Sequence, residues 1–255
     1  MLKVGADNEK IKYILNGKYE KDGYVLIDDL SILEYENCKK SDIQFVVVCE
    51  ELIESNQAKE LVKFYSRFNT LSVSEKVFNR LVSKENCAGI LIVTKLKEDR
   101  SFLDKKNAFI LVCDGLEISG NMGTIIRTSE AVLVDGIIFT NLKAKVGDKV
   151  VRSSRGTIFN VPFCIIDDLE ELKKILRDKN YRTVVCEPEQ GVDFKDFNYN
   201  GNIAFIVGSE RYGVSKLWFD DKSEYLKIKM FGKMDSLNVG VATSIILYEA
   251  KYKRN

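Results

Sequence analysis

The sequence predicts an α/β protein of two domains, and three features predict it. Short runs rich in Val, Ile and Phe alternate with longer stretches of helical period almost from end to end. Several of these runs are apolar at consecutive positions, which suits strands covered on both faces, and hence a largely parallel sheet flanked by helices. The chain has 255 residues, 45% of them hydrophobic, enough for a sizeable core without crosslinks.

Taken in order, strands are predicted over Tyr24–Ile27 and Ile43–Val48, with helical period over 57–68. Ser72 and Glu75 have the spacing of a capping box that opens a short helix. A strand follows over Gly89–Thr94. Residues 95–107, KLKEDRSFLDKKN preceding the next strand, are polar and aperiodic and place the domain boundary. This gives a first domain at 1–95, a linker at 96–106 and a second domain at 107–255. Within the second, strands are expected over Phe109–Cys113, Gly136–Thr140, Thr183–Cys186 and Ile203–Val207. Helices are expected over 121–133, where Met122, Ile125, Ile126, Ser129 and Leu133 share a face, and over 168–178. The last helix runs from 237 to 253, about 25 Å at roughly 1.5 Å per residue, with Ser236 as its natural N-cap. Its stripe of Val241, Ile245, Tyr248 and Tyr252 should pack on the domain or on a second subunit.

Composition removes several function classes. Histidine is absent, so triads, histidine acid–base catalysis and histidine metal sites are excluded. Six cysteines contain no CxxC pair, and those ending apolar runs (Cys49, Cys113 and Cys186) suit buried thiols. Thirty-nine basic residues against 38 acidic leave a formal charge of +1, with no large field to steer a polyanion. The start lacks the apolar core of a signal peptide and no apolar stretch approaches a membrane span, so the cytoplasm is the expected compartment.

Four segments carry residue types suited to chemistry. In 109–132 a buried strand runs through Gly115, Gly120 and Gly123 into a helix bearing Asn121 and Arg127. Glycines and free helix amides there suit an anionic ligand, or simply a tight turn. Segment 143–156 holds Lys143, Arg152 and Arg155; the two arginines, three apart, would share a helical face and clamp phosphates, although a solvated basic loop fits the same composition. In 203–218 a strand ends in Gly208, Ser209 and Glu210, a site geometry unless Glu210 and Arg211 merely pair at the surface. In 226–254 a strand passes through Gly232 to Ser236, Leu237 and Asn238 and the terminal helix.

In this order the segments resemble the SpoU (TrmH-like) family of RNA ribose 2′-O-methyltransferases, of the SPOUT superfamily. NMGTIIRT (121–128) matches the family's N-x-G-x-x-x-R-T, IVGSERYGVS (206–215) resembles its G-N-E-x-x-G motif, and IKMFGKMDSLNVGVA (228–242) resembles its third. Ser209, Lys229 and Gly240 depart from the usual Asn, Pro and Ser. The G-S-E form, with RSSRG (152–156) upstream and VLIDDLSIL (25–33) in the first domain, is similar to the branch conferring resistance to thiopeptide antibiotics. That branch's basic recognition loop is poorly reproduced, since KENCA (84–88) holds only Lys84.

The resemblance implies a C-terminal trefoil-knot domain with a parallel sheet, preceded by a small ribosomal-protein-like α/β domain that recognises RNA. It implies S-adenosylmethionine as cofactor, held largely through backbone at Gly208, Ile228 and Leu237 with Ser209 and Met230 beside them, and no metal. Asn121, Arg127, Glu210, Ser236 and Asn238 would form the active site; Lys84, Lys143, Arg152 and Arg155 would bind RNA. Large-subunit ribosomal RNA is the expected substrate, with transfer RNA, or a non-catalytic RNA-binding or ribosome-assembly role, as alternatives. Similar proteins are homodimers.

Overall fold

The computed structural model describes residues 1–34, 42–82, 88–187 and 189–254. The chain separates into two compact units, Met1–Lys97 with Val146–Phe159, and Glu98–Lys145 with Asn160–Asn255. This differs from the sequence-predicted division in two ways. The polar stretch after Lys97 is not a free linker, because Phe102 and Leu103 within it are buried in the second unit's core. Gly136 is the reason they fit: a Cβ there would stand 2.3 Å from the Phe102 ring. Residues 146–159, expected in the second domain, belong to the first unit.

The first unit contains β1 (Leu2–Lys3), α1 (Glu9–Leu15), α2 (Lys18–Lys21), β2 (Tyr24–Ile27), α3 (Leu30–Glu34), β3 (Ile43–Val48), α4 (Asn56–Tyr65), β4 (Thr70–Ser72), α5 (Glu75–Phe78) and β5 (Ile90–Lys95). The sheet order is β1-β4-β3-β5-β2. Unlike the expected parallel arrangement it is mixed, with β5 antiparallel to both β2 and β3. Phe45, Val47, Leu91 and Val93 face Ile11, Ile14 and Phe78 in one core. The capping box does not form. Ser72 lies in β4, and the first amide of α5, that of Glu75, donates instead to the Glu51 carboxylate at 3.0 Å.

The second unit contains β6 (Phe109–Asp114), α6 (Ser119–Ala131) and β7 (Gly136–Thr140). The chain then gives α7 (Asp148–Ser153) to the first unit. It returns with β8 (Phe163–Ile165), α8 (Leu169–Asp178), β9 (Arg182–Cys186), β10 (Val192–Asp193), β11 (Ile203–Val207), β12 (Glu224–Lys227) and α9 (Val239–Lys253). Its seven strands run in the order β10-β12-β9-β11-β6-β7-β8, and all pair in parallel. The consecutive apolar runs are explained directly: every residue of β6, β7 and β11 is buried. Met122, Ile125, Ile126 and Ser129 form the buried face of α6, but Leu133 does not join it; the helix ends at Ala131 and Leu133 is exposed with φ +56°. Asn238, not Ser236, caps α9, accepting from the amides of Gly240 and Val241. Among the described residues no helix is long and apolar enough to cross a membrane.

Asp148 holds α7 in the first unit. Its Oδ1 accepts the Leu26 amide at 2.8 Å and its Oδ2 accepts the Tyr19 hydroxyl at 2.7 Å. The first bond satisfies a donor on β2, an edge strand whose outward amides lack a ladder partner. Burial pushes the Asp148 carboxyl above its ordinary range, and the bonds from Leu26 and Tyr19 oppose that shift. Asp148→Ala is expected to destabilise the protein by about 1–3 kcal/mol by orphaning the Leu26 amide and leaving the Tyr19 hydroxyl only its longer bond to Glu20 at 3.3 Å. Tyr19→Phe should cost less, since Leu26 still reaches the carboxylate. Urea titration of the two variants checks the order.

Candidate functional site

In a parallel sheet all strands deliver their C-terminal ends to one edge, and the loops there are where open α/β sheets bind ligands. Four such loops meet through side chains. Asp114, the last residue of β6, is 2% exposed. Its Oδ1 accepts the Asn141 side-chain amide at 2.9 Å, just past β7, and its Oδ2 accepts the Ser215 amide at 2.8 Å, in the loop after β11. Neither Asp114 nor Asn141 was singled out from the sequence. The available signal was a carboxylate closing a wholly apolar strand directly before Gly115.

The loop after β11 is a tight turn. Ser209 and Gly213 exchange backbone hydrogen bonds at 2.9 and 3.0 Å, and the Ser209 Oγ accepts the amides of Arg211 and Tyr212 at 3.2 and 3.1 Å. Gly208 is forced by the returning chain, because a Cβ would stand 2.1 Å from the Gly213 carbonyl carbon. Gly213 adopts φ +69°, a conformation glycine takes without penalty.

This turn aims Glu210 at the start of α6. The helix has Ile118 at its N-cap, with no side-chain cap of its own. Glu210 instead holds the chain as it enters the helix, accepting the Glu117 amide at 3.0 Å and the Ile118 amide at 3.3 Å. The same carboxylate accepts the Asn121 side-chain amide at 2.7 Å. Asn121 in turn accepts the Asn238 side-chain amide at 3.1 Å. Glu210, Asn121 and Asn238, from three of the four segments singled out in the sequence, therefore form one chain of hydrogen bonds. Burial alone would raise the Glu210 carboxyl, but the Asn121 amide and the backbone donors outweigh it and hold the group below the usual carboxylate range.

Other sequence-predicted residues lie apart from this chain. Arg127 is exposed further along α6, and Ser236 is exposed with Asp235 as its polar neighbour at 3.5 Å. Ile228 and Met230 are half-buried and Leu237 exposed, in a stretch where no backbone group of 228–237 bonds to other backbone among the described residues. That leaves a run of unused donors and acceptors beside apolar side chains. Helices α6 and α9 approach closely over Gly240, where a Cβ would meet the Thr124 methyl carbon at 3.1 Å, and Thr128 and Ser244 share a hydroxyl bond of 2.8 Å. Lys143 is exposed in the second unit. Arg152 and Arg155 fall in the first unit but do not share a helical face: α7 ends at Ser153, and Arg155 follows it with φ +51°. Lys84 lies outside the described residues. Among the described residues no group of acidic or cysteine side chains is arranged to hold a metal ion.

The sequence model of the SpoU rRNA Methylase family matches residues 108–248. A candidate TrmH family tRNA/rRNA methyltransferase of Staphylococcus saprophyticus subsp. saprophyticus is 33% identical over 151 residues, 59% of this chain and 61% of that protein. The match thus spans about three-fifths of that relative's length. Among solved structures, an rRNA methyltransferase from Sinorhizobium meliloti bound to S-adenosylmethionine superposes with a TM-score of 0.83 at 20% identity, covering 98% of this chain and 97% of that one. The SpoU methyltransferase AviRb from Streptomyces viridochromogenes, with the same cofactor, gives 0.83 at 22% identity, covering 96% and 98%. A TrmH/SpoU tRNA modifying enzyme of A. aeolicus gives 0.53 at 26% identity, covering 60% of this chain and 79% of that one. Both units therefore share their fold with whole SpoU-type structures.

The Glu210 chain predicts a pH-dependent contribution to stability. Glu210→Ala should cost roughly 1–3 kcal/mol at neutral pH by orphaning the donors at the head of α6. Because the folded-state pKa is lowered, the carboxylate's contribution is present above its unfolded pKa and lost as pH falls through the folded value. The gap between wild type and variant should therefore narrow in acid. Thermal unfolding at neutral and acid pH tests this; a gap that stays constant would contradict it.

Proposed function

Because the chain belongs to the SpoU rRNA methylase family, we propose that it transfers a methyl group from S-adenosylmethionine to a ribose 2′-hydroxyl of RNA. The observation that carries this reading is the hydrogen-bond chain from Glu210 through Asn121 to Asn238, which joins all three family motifs at the ligand-binding edge of the sheet. The cofactor fits the residues present. Ile228, Met230 and Leu237 offer apolar walls for an adenine, and the unused backbone groups of 228–237 offer donors and acceptors for its edge and ribose. Gly208 and Ser209 would add backbone contacts from the turn after β11. When bound, S-adenosylmethionine contributes a methyl carbon already activated by its sulfonium.

The protein's task is then to align the ribose oxygen, exclude water and remove one proton. Glu210 is a poor acceptor for that proton, since its oxygens already receive three donors and its pKa is lowered. We assign it the role of positioning the motif loops. Arg127 is exposed and free to meet RNA, and a guanidinium stays charged at neutral pH, so it suits anchoring of the target phosphate and stabilisation of negative charge on the 2′-oxygen. The proton leaves to water, directly or relayed through the Ser236 hydroxyl, which gives up its own proton to solvent as it accepts this one.

Large-subunit ribosomal RNA is the substrate we favour. The S. meliloti rRNA methyltransferase resembles 98% of this chain, whereas the A. aeolicus tRNA enzyme covers 60% of it. In this reading the first unit chooses the target, Lys84, Lys143, Arg152 and Arg155 contribute phosphate contacts, and a methylated drug-binding nucleotide would give thiopeptide resistance. Val241, Tyr248 and Tyr252 stay exposed along α9, and we place the homodimer interface on that stripe.

Labelled methyl from S-adenosylmethionine should enter large-subunit ribosomal RNA and be lost with Arg127→Ala. Label in transfer RNA alone would replace the substrate, and absence of both label and cofactor binding would leave a non-catalytic RNA-binding protein. Arg127→Lys should lower the rate while keeping the shape of the pH–rate profile, because a cation and not a base is retained. Replacing Arg152 and Arg155 together by Ala should weaken RNA binding and flatten its salt dependence, measured at two ionic strengths.

A further inference from the structure

The turn after β11 has an outward side that the proposed chemistry does not use. Glu210 points inward to the head of α6, yet Tyr212, two residues on, is 70% exposed. Its backbone is nonetheless fixed: the Tyr212 amide donates to the Ser209 Oγ, and the Ser209–Gly213 bonds close the turn around it. The Arg211 guanidinium lies 5.2 Å from the centre of the Tyr212 ring. Ile118, whose amide reaches the Glu210 carboxylate, is itself 53% exposed. The turn that carries Glu210, and Ile118 whose amide the carboxylate holds, thus present two solvent-facing side chains, one a tyrosine with a cation beside its ring, on hydrogen-bonded backbone.

We propose that Tyr212, with Arg211, is a stacking platform for an unpaired base of the RNA, next to or at the nucleotide whose ribose is methylated. This rests on RNA being the substrate. An exposed aromatic buries no core area here, but its face matches any nucleobase, and stacked aromatics and guanidinium planes are how proteins hold splayed single-stranded bases. The position is suitable because a base lies one sugar away from its own 2′-oxygen, and Tyr212 lies two residues from Glu210. The rigid turn matters as much as the ring. A platform already ordered by Gly208, Ser209 and Gly213 loses little freedom when the base arrives. Arg211 adds a cation beside the stack that can also meet the adjoining phosphate.

The test uses the full chain with a short oligoadenylate and an abasic oligoribonucleotide of equal length, which keeps the phosphates and removes the bases. Wild type should bind the oligoadenylate more tightly than the abasic strand. Tyr212→Ala should weaken oligoadenylate binding about tenfold, the size of a stacking loss near 1.4 kcal/mol, and leave abasic binding unchanged. Tyr212→Phe should bind like wild type. Tyr212→Trp should show emission quenched by the oligoadenylate and not by the abasic strand, against the buried Trp218. Equal affinity of wild type and Tyr212→Ala for the oligoadenylate would overturn the platform, as would wild-type protein that binds neither strand. A loss of S-adenosylmethionine affinity, or of the oligomeric state, in Tyr212→Ala would assign the ring to the cofactor or to a subunit contact and overturn it too. Failure of the methyltransferase reading is separate: it shows as no methyl transfer by wild type to any RNA while base-dependent binding persists.

Discussion

The Glu210 carboxylate at the head of α6 is the interaction on which the site depends. Helix α6 lacks a capping side chain of its own, and the Glu117 and Ile118 amides that lead into it need an acceptor from elsewhere. A carboxylate from the β11 turn meets that need and also satisfies the Asn121 amide, which fixes the amide's orientation and leaves its oxygen to receive Asn238. One anion therefore orders three loops. The group is held ionised by its donors, which makes it a strong anchor and, for the same reason, a weak base.

Beneath that anchor lies a second, Asp114. A carboxylate at 2% exposure is tolerated because Asn141 and the Ser215 amide donate to it. It ties the ends of β6 and β7 to the far side of the β11 turn. The turn is thereby held from both ends, by Asp114 below and by its own Ser209–Gly213 bonds within. Glycines are needed where the chain doubles back, and Gly208 is the clearest case, since any side chain would strike the backbone of Gly213. This rigidity allows the turn to present Glu210 inward and Tyr212 outward without a supporting core.

The division of the chain bears on how RNA would be held. The second unit supplies the parallel sheet and the motif residues, but it lends the segment 146–159, with Arg152 and Arg155, to the first. Asp148 secures that loan through Tyr19 and the edge of β2. With a formal charge of only +1, local placement of cations has to do what net charge does not.

The α/β class, seven of the strands, the principal helices and the three segments that meet at the site are legible in the amino-acid sequence. Those properties are local: a buried strand shows itself as consecutive apolar residues, and a packed helix as a 3.6-residue period. The tertiary structure alone decided which distant groups become partners. Asn121 and Glu210 are 89 positions apart, and Asp114 and Ser215 are 101 apart, so only the strand order brings them together. The same holds for the misplaced caps. Ser72 and Ser236 have the right chemistry for helix starts, but Glu51 and Asn238 were better placed to meet the free amides. The break after Lys97 falls inside the polar stretch 95–107 that the sequence marks, but that polarity hid the burial of Phe102 and Leu103 in the second unit's core, with Phe102 filling the space left at Gly136. Periodicity records whether a residue is covered. What covers it is set by topology, which has no local signature.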